Sequence, residues 1–316
     1  MSARPLRIGT RASALALWQA HHLEALLAAH GAPAAQLVHI KTAGDVQSEV
    51  PLWQAGGRAF FTKEIDRALL EGSVDIAVHS LKDLSTQLDP GLTLAAALPR
   101  TDARDAFLSR DGATLAQLPP GARVGTSSLR RRAFLMRARP DLAHAELRGN
   151  VPTRVDRLRS GDYDAIILAA AGLARLQLLG HVTEFLSPEQ FPPAVSQGVI
   201  GVCARTADAP TLRWLLPLDD REARLTSTAE RALLRRLEGG CQVPLGALAT
   251  VTDRMLRLSA SVCALDGSVH LTAQATAPAS VSDAAALGER VAEDLLARGA
   301  GELIARERGR FTVEAP

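Results

Sequence analysis

The chain has 316 residues, 47% of them hydrophobic and 22% charged, with a formal net charge of +2. That length supports two or three domain cores, and so small a net charge argues against a dedicated polyanion binder at the level of the whole chain while leaving local clusters open. Three cysteines, Cys203, Cys241 and Cys263, are scattered. They match no zinc spacing and cannot all pair, so no metal site is expected and a reducing compartment is favoured over a disulfide framework. The opening "MSARPLRIGTRAS" lacks an apolar signal core, and no apolar run approaches the ~18 residues that a bilayer crossing requires. A soluble cytoplasmic protein without membrane or nucleic-acid partners is expected.

In chain order, "LRIG" reads as a strand, Ser13 as the cap of the following helix, and "ALALWQAHHLEALLAAHG" as that helix, stopping at Gly31. "AQLVHI" is the next strand, "TKEIDRALLEG" a helix opened by Thr62, and "VDIAVHS" a buried strand. Strand–helix–strand order predicts a parallel sheet with helices on its faces. After a proline-containing connection near Arg100 to Ala106 the order restarts. "ARVGTSSLRRRAFLMRARPD" echoes "LRIGTRASALALWQAHH", with Arg-x-Gly-Thr at Arg7 to Thr10 and again at Arg123 to Thr126, and "YDAIILAAAGL" echoes "VDIAVHSLKDL". Two similar α/β halves imply two lobes with a cleft between them.

"FPPAVSQGVIGVCAR" reads as a return crossing whose "GVIGVCA" strand rejoins the first sheet. From Asp220 the pattern changes. A helix with a Ser227-x-x-Glu230 capping box leads to two alternating runs joined at Asp266-Gly267, then to an amphipathic helix. The expected division is residues 1–100 plus 200–218, residues 101–199, and a smaller α+β domain over 219–316.

Arginines cluster after "GTSS" (Arg130, Arg131, Arg132, Arg137, Arg139) and after the next strand (Arg148, Arg154, Arg157, Arg159). Arg132, Arg137, Arg157 and Arg159 read as a solvated face. In a parallel α/β sheet, ligands bind beyond the carboxyl ends of the strands. Arg11, Ser13, Lys82, Thr126, Ser127, Ser128, Arg130, Arg131 and Arg148 are expected there, and a helix opening at Thr126 to Ser128 adds free N–H groups. "QAGGRAFFTKE" lacks the Walker spacing, so guanidinium forks for planar carboxylates fit better than a phosphate cradle. Asp83 is either a catalytic acid or an ion that neutralises this cluster. Cys203 and Cys263 fall within strands and read as packing residues, whereas Cys241 follows a helix end and two glycines, on a loop.

These motifs, "RIGTRASALALWQA", "AGD" at Ala43 to Asp45, "DIAVHSLKDL", "DAF", "VGTSSLRR", "LRGNVPTR", "YDAIILAAAGLARL", "QGVIGV" and "LEGGCQVPLGA", resemble the porphobilinogen deaminase (hydroxymethylbilane synthase) family along nearly the whole chain. The resemblance implies two periplasmic-binding-protein-like α/β lobes and a third domain in which Cys241 carries a dipyrromethane through a thioether. It implies a monomeric transferase that condenses four porphobilinogen molecules, releasing ammonia, into a linear tetrapyrrole for haem biosynthesis. By residue match, Asp83 is the catalytic carboxylate. Ser80, Lys82, Thr126, Ser127, Ser128, Arg130, Arg131 and Arg148 hold the cofactor, while Arg11, Ser13, Phe61, Arg148, Arg154 and Arg175 take substrate. The loop around Phe61 resembles a lid that departs from the family in Gln54 and Ala59, with Arg58 keeping one positive charge, and "SLKDLS" replaces Met-Lys-Asp-Val-Pro. The competing readings are a non-catalytic two-lobed binder of a carboxylated molecule and a cysteine-dependent acyl or amido transferase, which would need His79 or another histidine near Cys241.

Overall fold

The computed structural model describes residues 4–42, 62–237 and 243–313. Strand β1 (Leu6–Thr10) leads through α1 (Ala14–Ala29) to β2 (Ala35–His39); α2 (Lys63–Leu70) precedes β3 (Ile76–Ser80), and β4 (Leu92–Ala97) follows. β1 pairs in parallel with both β2 and β3. The returning strand β10 (Ile200–Arg205) inserts antiparallel between β3 and β4, giving the order β2-β1-β3-β10-β4. "GVIGVCA" therefore does rejoin the first sheet, but against the direction of its parallel trio.

The second sheet repeats this plan. It contains β5 (Asp105–Ser109), β6 (Arg123–Gly125), β7 (Ala143–Ala145), β8 (Ala165–Ala169) and β9 (Glu184–Phe185), in the order β7-β6-β8-β5-β9. β6 pairs in parallel with β7 and β8, and β5 pairs antiparallel with β8 and β9. The two Arg-x-Gly-Thr motifs thus run along equivalent strands, β1 and β6. Their glycines are sites of close packing: a Cβ at Gly125 would lie 2.8 Å from the Tyr163 ring, and one at Gly9 3.2 Å from Ile40 and Val74. Helices α3 (Leu129–Ala138), α4 (Val151–Arg159) and α5 (Ala170–Arg175) complete this lobe. Apolar clusters fill both faces of each sheet, centred on Ile8, Val78 and Val202 and on Ile65, Ala77 and Leu81 in the first, and on Phe107, Phe134 and Ile167 and on Leu108, Ile166 and Leu168 in the second.

The last portion begins with α7 (Arg221–Arg236), which follows the short α6 (Ala209–Leu215). The sequence placed a capping box at Ser227 and Glu230; the structure places both inside the helix. Asp220 is the cap, its carboxylate accepting from the Ala223 N–H at 2.7 Å. Ser227 donates back to the Ala223 carbonyl, and Glu230, fully buried, accepts from the backbone N–H groups of Ser196 at 2.6 Å and Ala249 at 2.8 Å. A Ser-x-x-Glu spacing is satisfied equally well in mid-helix when tertiary donors reach the carboxylate. Similarly, Thr62 precedes α2 without a side-chain capping bond, whereas Ser13 accepts from Ala16 N–H at 3.4 Å as expected.

Three antiparallel strands follow, β11 (Leu245–Thr252), β12 (Met255–Cys263) and β13 (His270–Pro278). The sequence disclosed β12 and β13 and the Asp266-Gly267 turn, where Gly267 has φ +76°. It did not disclose β11, whose small residues carry little alternation. α8 (Val281–Ala297) packs on α7 and the sheet, and α9 (Ala300–Val313) follows.

Candidate active site

The carboxyl ends of the parallel strands face a cavity between the two lobes. Its polar lining is Ser80, Lys82, Arg131, Arg154, Arg175 and Gln197, and its apolar side includes Leu15, Val151, Leu168 and Gly172. Ser80 ends β3, and Lys82 and Asp83 lie on the single 3₁₀ turn that follows it, Leu81–Asp83. Arg131 projects from the first turn of α3, which Ser128 caps by accepting from Arg131 N–H at 3.4 Å. Arg154 comes from α4 and Arg175 from the end of α5. The structure thus brings five of the sequence-selected residues, Ser80, Lys82, Arg131, Arg154 and Arg175, onto one wall system.

Lys82 donates to Gln197 Oε1 at 3.3 Å. Burial pulls its ammonium down to about 8; the negative charge of Asp83 offsets part of this, and Arg131 adds to it. Arg154 donates to the Gly149 carbonyl at 2.7 Å and is brought down to about 10 by burial and by the charges of Arg131 and Arg148. A cleft in which cations are this poorly solvated attracts anions strongly.

Arg130 and Arg131 are committed in part to the protein itself. Asp105, with no exposed surface, accepts from Arg130 Nη1 at 2.7 Å, and its other oxygen accepts from Arg131 Nη2 at 2.8 Å and Nε at 3.1 Å. Arg130 Nη1 also donates to the Pro192 carbonyl and Arg131 Nη1 to the Ile167 carbonyl. Burial alone would raise the Asp105 carboxyl, but the two guanidinium charges outweigh it and hold it well below the usual carboxylate range. Arg175 donates to the Gly198 carbonyl at 2.7 Å and to Thr101 at 3.3 Å, across the two segments that join the lobes.

Thr126, Ser127 and Ser128 lie between β6 and α3; Ser127 donates to the Leu147 carbonyl, and Thr126 accepts from the Ser128 N–H at 3.2 Å. Ser13 and Arg11 follow β1, and Arg148 follows β7; both arginines are half-buried. Of the residues read as a solvated face, Arg137 and Arg159 are exposed, Arg157 is half-buried in an ion pair with Asp162, and Arg132 is half-buried. Phe61, Gln54, Arg58, Ala59 and Cys241 lie outside the described residues. Among the described residues no group of three or more His, Cys, Asp or Glu side chains could hold a metal.

Three residues of this neighbourhood had no individual signal in the sequence. Asp105 and Gln197 sit inside "DAF" and "QGVIGV", and Gln19, on the buried side of α1, donates to Ser80 Oγ at 2.8 Å. Only their partners, distant in sequence, reveal what they do.

A family profile described as the porphobilinogen deaminase dipyrromethane cofactor binding domain matches residues 6–213, and one for the porphobilinogen deaminase C-terminal domain matches residues 224–297. The chain belongs to the porphobilinogen deaminase family. A porphobilinogen deaminase from Syntrophotalea carbinolica is 48% identical over 306 residues, 96% of each chain. One from Roseiflexus castenholzii is 50% identical over 301 residues, 95% of this chain and 98% of its own. Among solved structures, the periplasmic aliphatic sulphonate binding protein SsuA from Escherichia coli is similar at a TM-score of 0.38 and 16% identity, over 75% of this chain and 71% of its own, too loose a likeness to add to the family match. No helix among the described residues is long and apolar enough to cross a membrane.

Proposed function

We propose that this porphobilinogen deaminase family chain condenses four porphobilinogen molecules head to tail into hydroxymethylbilane, on a dipyrromethane joined by a thioether to Cys241. The observation that carries this reading is the convergence of Lys82, Arg131, Arg154 and Arg175 on one cavity, beside the turn that bears Asp83. Each pyrrole of the substrate carries an acetate and a propionate, so a lining that combines cationic and apolar side chains suits a flat ring with carboxylate arms. The dipyrromethane fits the same lining, and Ser80, Lys82, Arg131 and the Thr126 to Ser128 turn would hold it. When bound, it supplies a pyrrole α-carbon as nucleophile.

The protein's own part is binding and charge stabilisation. Arg154 and Arg175, with Arg11, Ser13 and Arg148 nearby in the strand-end loops, orient the substrate carboxylates. Asp83 accepts from the pyrrole N–H. As ammonia departs, positive charge spreads over the ring and its methylene carbon, and a fixed carboxylate stabilises that state more than the neutral ring. Cytoplasmic residence as a monomer suits this role, and the two free, buried cysteines among the described residues, Cys203 and Cys263, accord with a reducing compartment. The intact mass of the purified protein tests the reading. It should exceed the chain mass by about two pyrroles, and Cys241→Ser should remove both the increment and turnover; a Cys241→Ser protein that keeps the full increment overturns the attachment.

A further inference from the structure

Lys82 belongs to the first lobe and Asp105 to the second. Gln197, in the returning segment between them, is bonded to both. Its Oε1 accepts from Lys82 Nζ at 3.3 Å, while its Nε2 donates to Asp105 Oδ1 at 2.9 Å and to the Ala103 carbonyl at 2.8 Å. The side chain is almost wholly buried. Its amide orientation is fixed from one side, because a carboxylate and a carbonyl can accept only from the NH₂ end, so the oxygen must face the lysine. The neighbouring backbone is equally constrained. Ser196 has φ +62° and Gly198 φ +90°, the Ser196 N–H is held by Glu230, and the Gln197 carbonyl accepts from Arg100 at 3.2 Å.

We propose that Gln197 is a positioning residue of this site: clamped by Asp105, its carboxamide aims the Lys82 ammonium into the cavity and registers the lysine-bearing turn of one lobe against the arginine-bearing helix of the other. Among the described residues, Gln197 supplies the only hydrogen bond Lys82 is seen to make. Without that acceptor the ammonium keeps the charges of Asp83 and Asp105 nearby but loses its hydrogen bond. The lysine would then hold its proton less well and point less consistently. The inference rests on the proposed function, since it concerns the cation that meets substrate or primer carboxylates.

Lysine composition makes the test direct. Only three of the 36 basic residues are lysines, Lys41, Lys63 and Lys82, and the first two are exposed. Holoprotein labelled with ¹³C at lysine Cε should give three side-chain resonances, with Lys82 assigned by its loss in Lys82→Arg. The groups that face Lys82 are Asp83, Asp105, Arg130 and Arg131, with Arg154 and Arg175 also lining the cavity; Gln197→Met substitutes none of these, although Asp105 loses one of its donors. Gln197→Met should lower the titration midpoint of Lys82 relative to the parent and move the alkaline limb of kcat/KM down with it. At neutral pH kcat/KM should fall ~10-fold or more, the scale of one lost hydrogen bond to a charged group. A Lys82 midpoint and alkaline limb that both stay at the parent values overturn the proposal, whatever the loss of activity, because a merely structural role would lower rates without moving either. If Gln197→Met does not fold, Gln197→Asn, whose carboxamide falls one methylene short of Lys82, is read by the same two criteria. A parent protein without the dipyrromethane mass would refute the proposed function, and the lysine titration would still decide the role of Gln197.

Discussion

At the scale of single residues, the site contains two acids in different surroundings. Asp105 is buried among guanidinium groups and has its oxygens filled, whereas Asp83 stands on the turn beside the cavity. Asp83→Asn keeps size and deletes charge, so single-turnover ammonia release should fall ~10²- to 10³-fold in folded protein, with Asp83→Glu retaining a small activity; a rate near the parent's would leave Asp83 a mere counter-ion. Asp105→Asn should instead cost about 3–5 kcal/mol of stability at pH 7, because two guanidiniums lose a buried partner. The sign of its pH dependence follows from the depressed carboxyl. Its contribution is complete above the unfolded carboxylate value of ~3.9 and is lost as pH falls below that. Urea midpoints of parent and variant should therefore converge progressively below pH ~4. Burial pushes the thiols of Cys203 and Cys263 up to about 12 and about 11, which leaves neither a nucleophile at neutral pH. Alkylation of native protein should spare both.

At the scale of elements, the arginine-rich helices divide by face. Arg131 turns from α3 into the cavity, while Arg159, at the end of α4, is exposed and its guanidinium lies 3.2 Å from His181 Nε2. Arg159→Leu should change stability by less than ~0.5 kcal/mol and leave the distribution of enzyme-bound pyrrole chains, read by mass spectrometry, as in the parent. The helix pair α7 and α8 is far less tolerant. A Cβ at Gly288 would lie 2.2 Å from the Ala229 carbonyl oxygen and 2.8 Å from the Ala232 Cβ, so the helices approach backbone to backbone. Gly288→Ala should force them apart and cost about 1–3 kcal/mol by overpacking, visible as a lower thermal midpoint.

At the scale of the whole molecule, two segments join the lobes and are bonded to each other, Leu98 N–H to Ile200 O at 2.9 Å and Thr101 N–H to Gly198 O at 3.1 Å. Two arginines brace them. Arg175 donates to Gly198 and Thr101, and Arg100 reaches Gln197 and also pairs with Glu230 at 2.9 Å. Glu230 stands on α7 and also accepts from Ala249 N–H on β11, so the junction links both lobes to the helix and sheet that follow them. Gly198 is its tightest point: φ is +90°, and a Cβ would lie 2.6 Å from the Thr101 carbonyl oxygen. Gly198→Ala should displace one crossing segment from the other. The thermal midpoint should fall and small-angle scattering should report an altered lobe separation; an unchanged profile would show that the crossings are not what sets the cleft.

Much of this architecture was present in local pattern. Apolar periodicity with Ser13 and Gly31 marked α1, the repeated Arg-x-Gly-Thr marked two equivalent strands, and strand-end position marked Lys82 and Arg131 as residues that line a cleft, because each of these signals depends on near neighbours in the chain. What the sequence could not determine was how charges far apart in the chain are apportioned. Arg130 and Arg131 read as two free forks for carboxylates, yet Asp105, 25 residues before Arg130, occupies part of both. Ser227 and Glu230 read as a helix start, yet Glu230 is bonded to residues 34 and 19 positions away. Gln197 carried no signal at all until Lys82 and Asp105 met on either side of it. Hydrophobic pattern dictates elements because burial is roughly proportional to apolar area and indifferent to partner, whereas a hydrogen bond or ion pair is directional and needs a named partner within about 3 Å, which only the folded chain supplies.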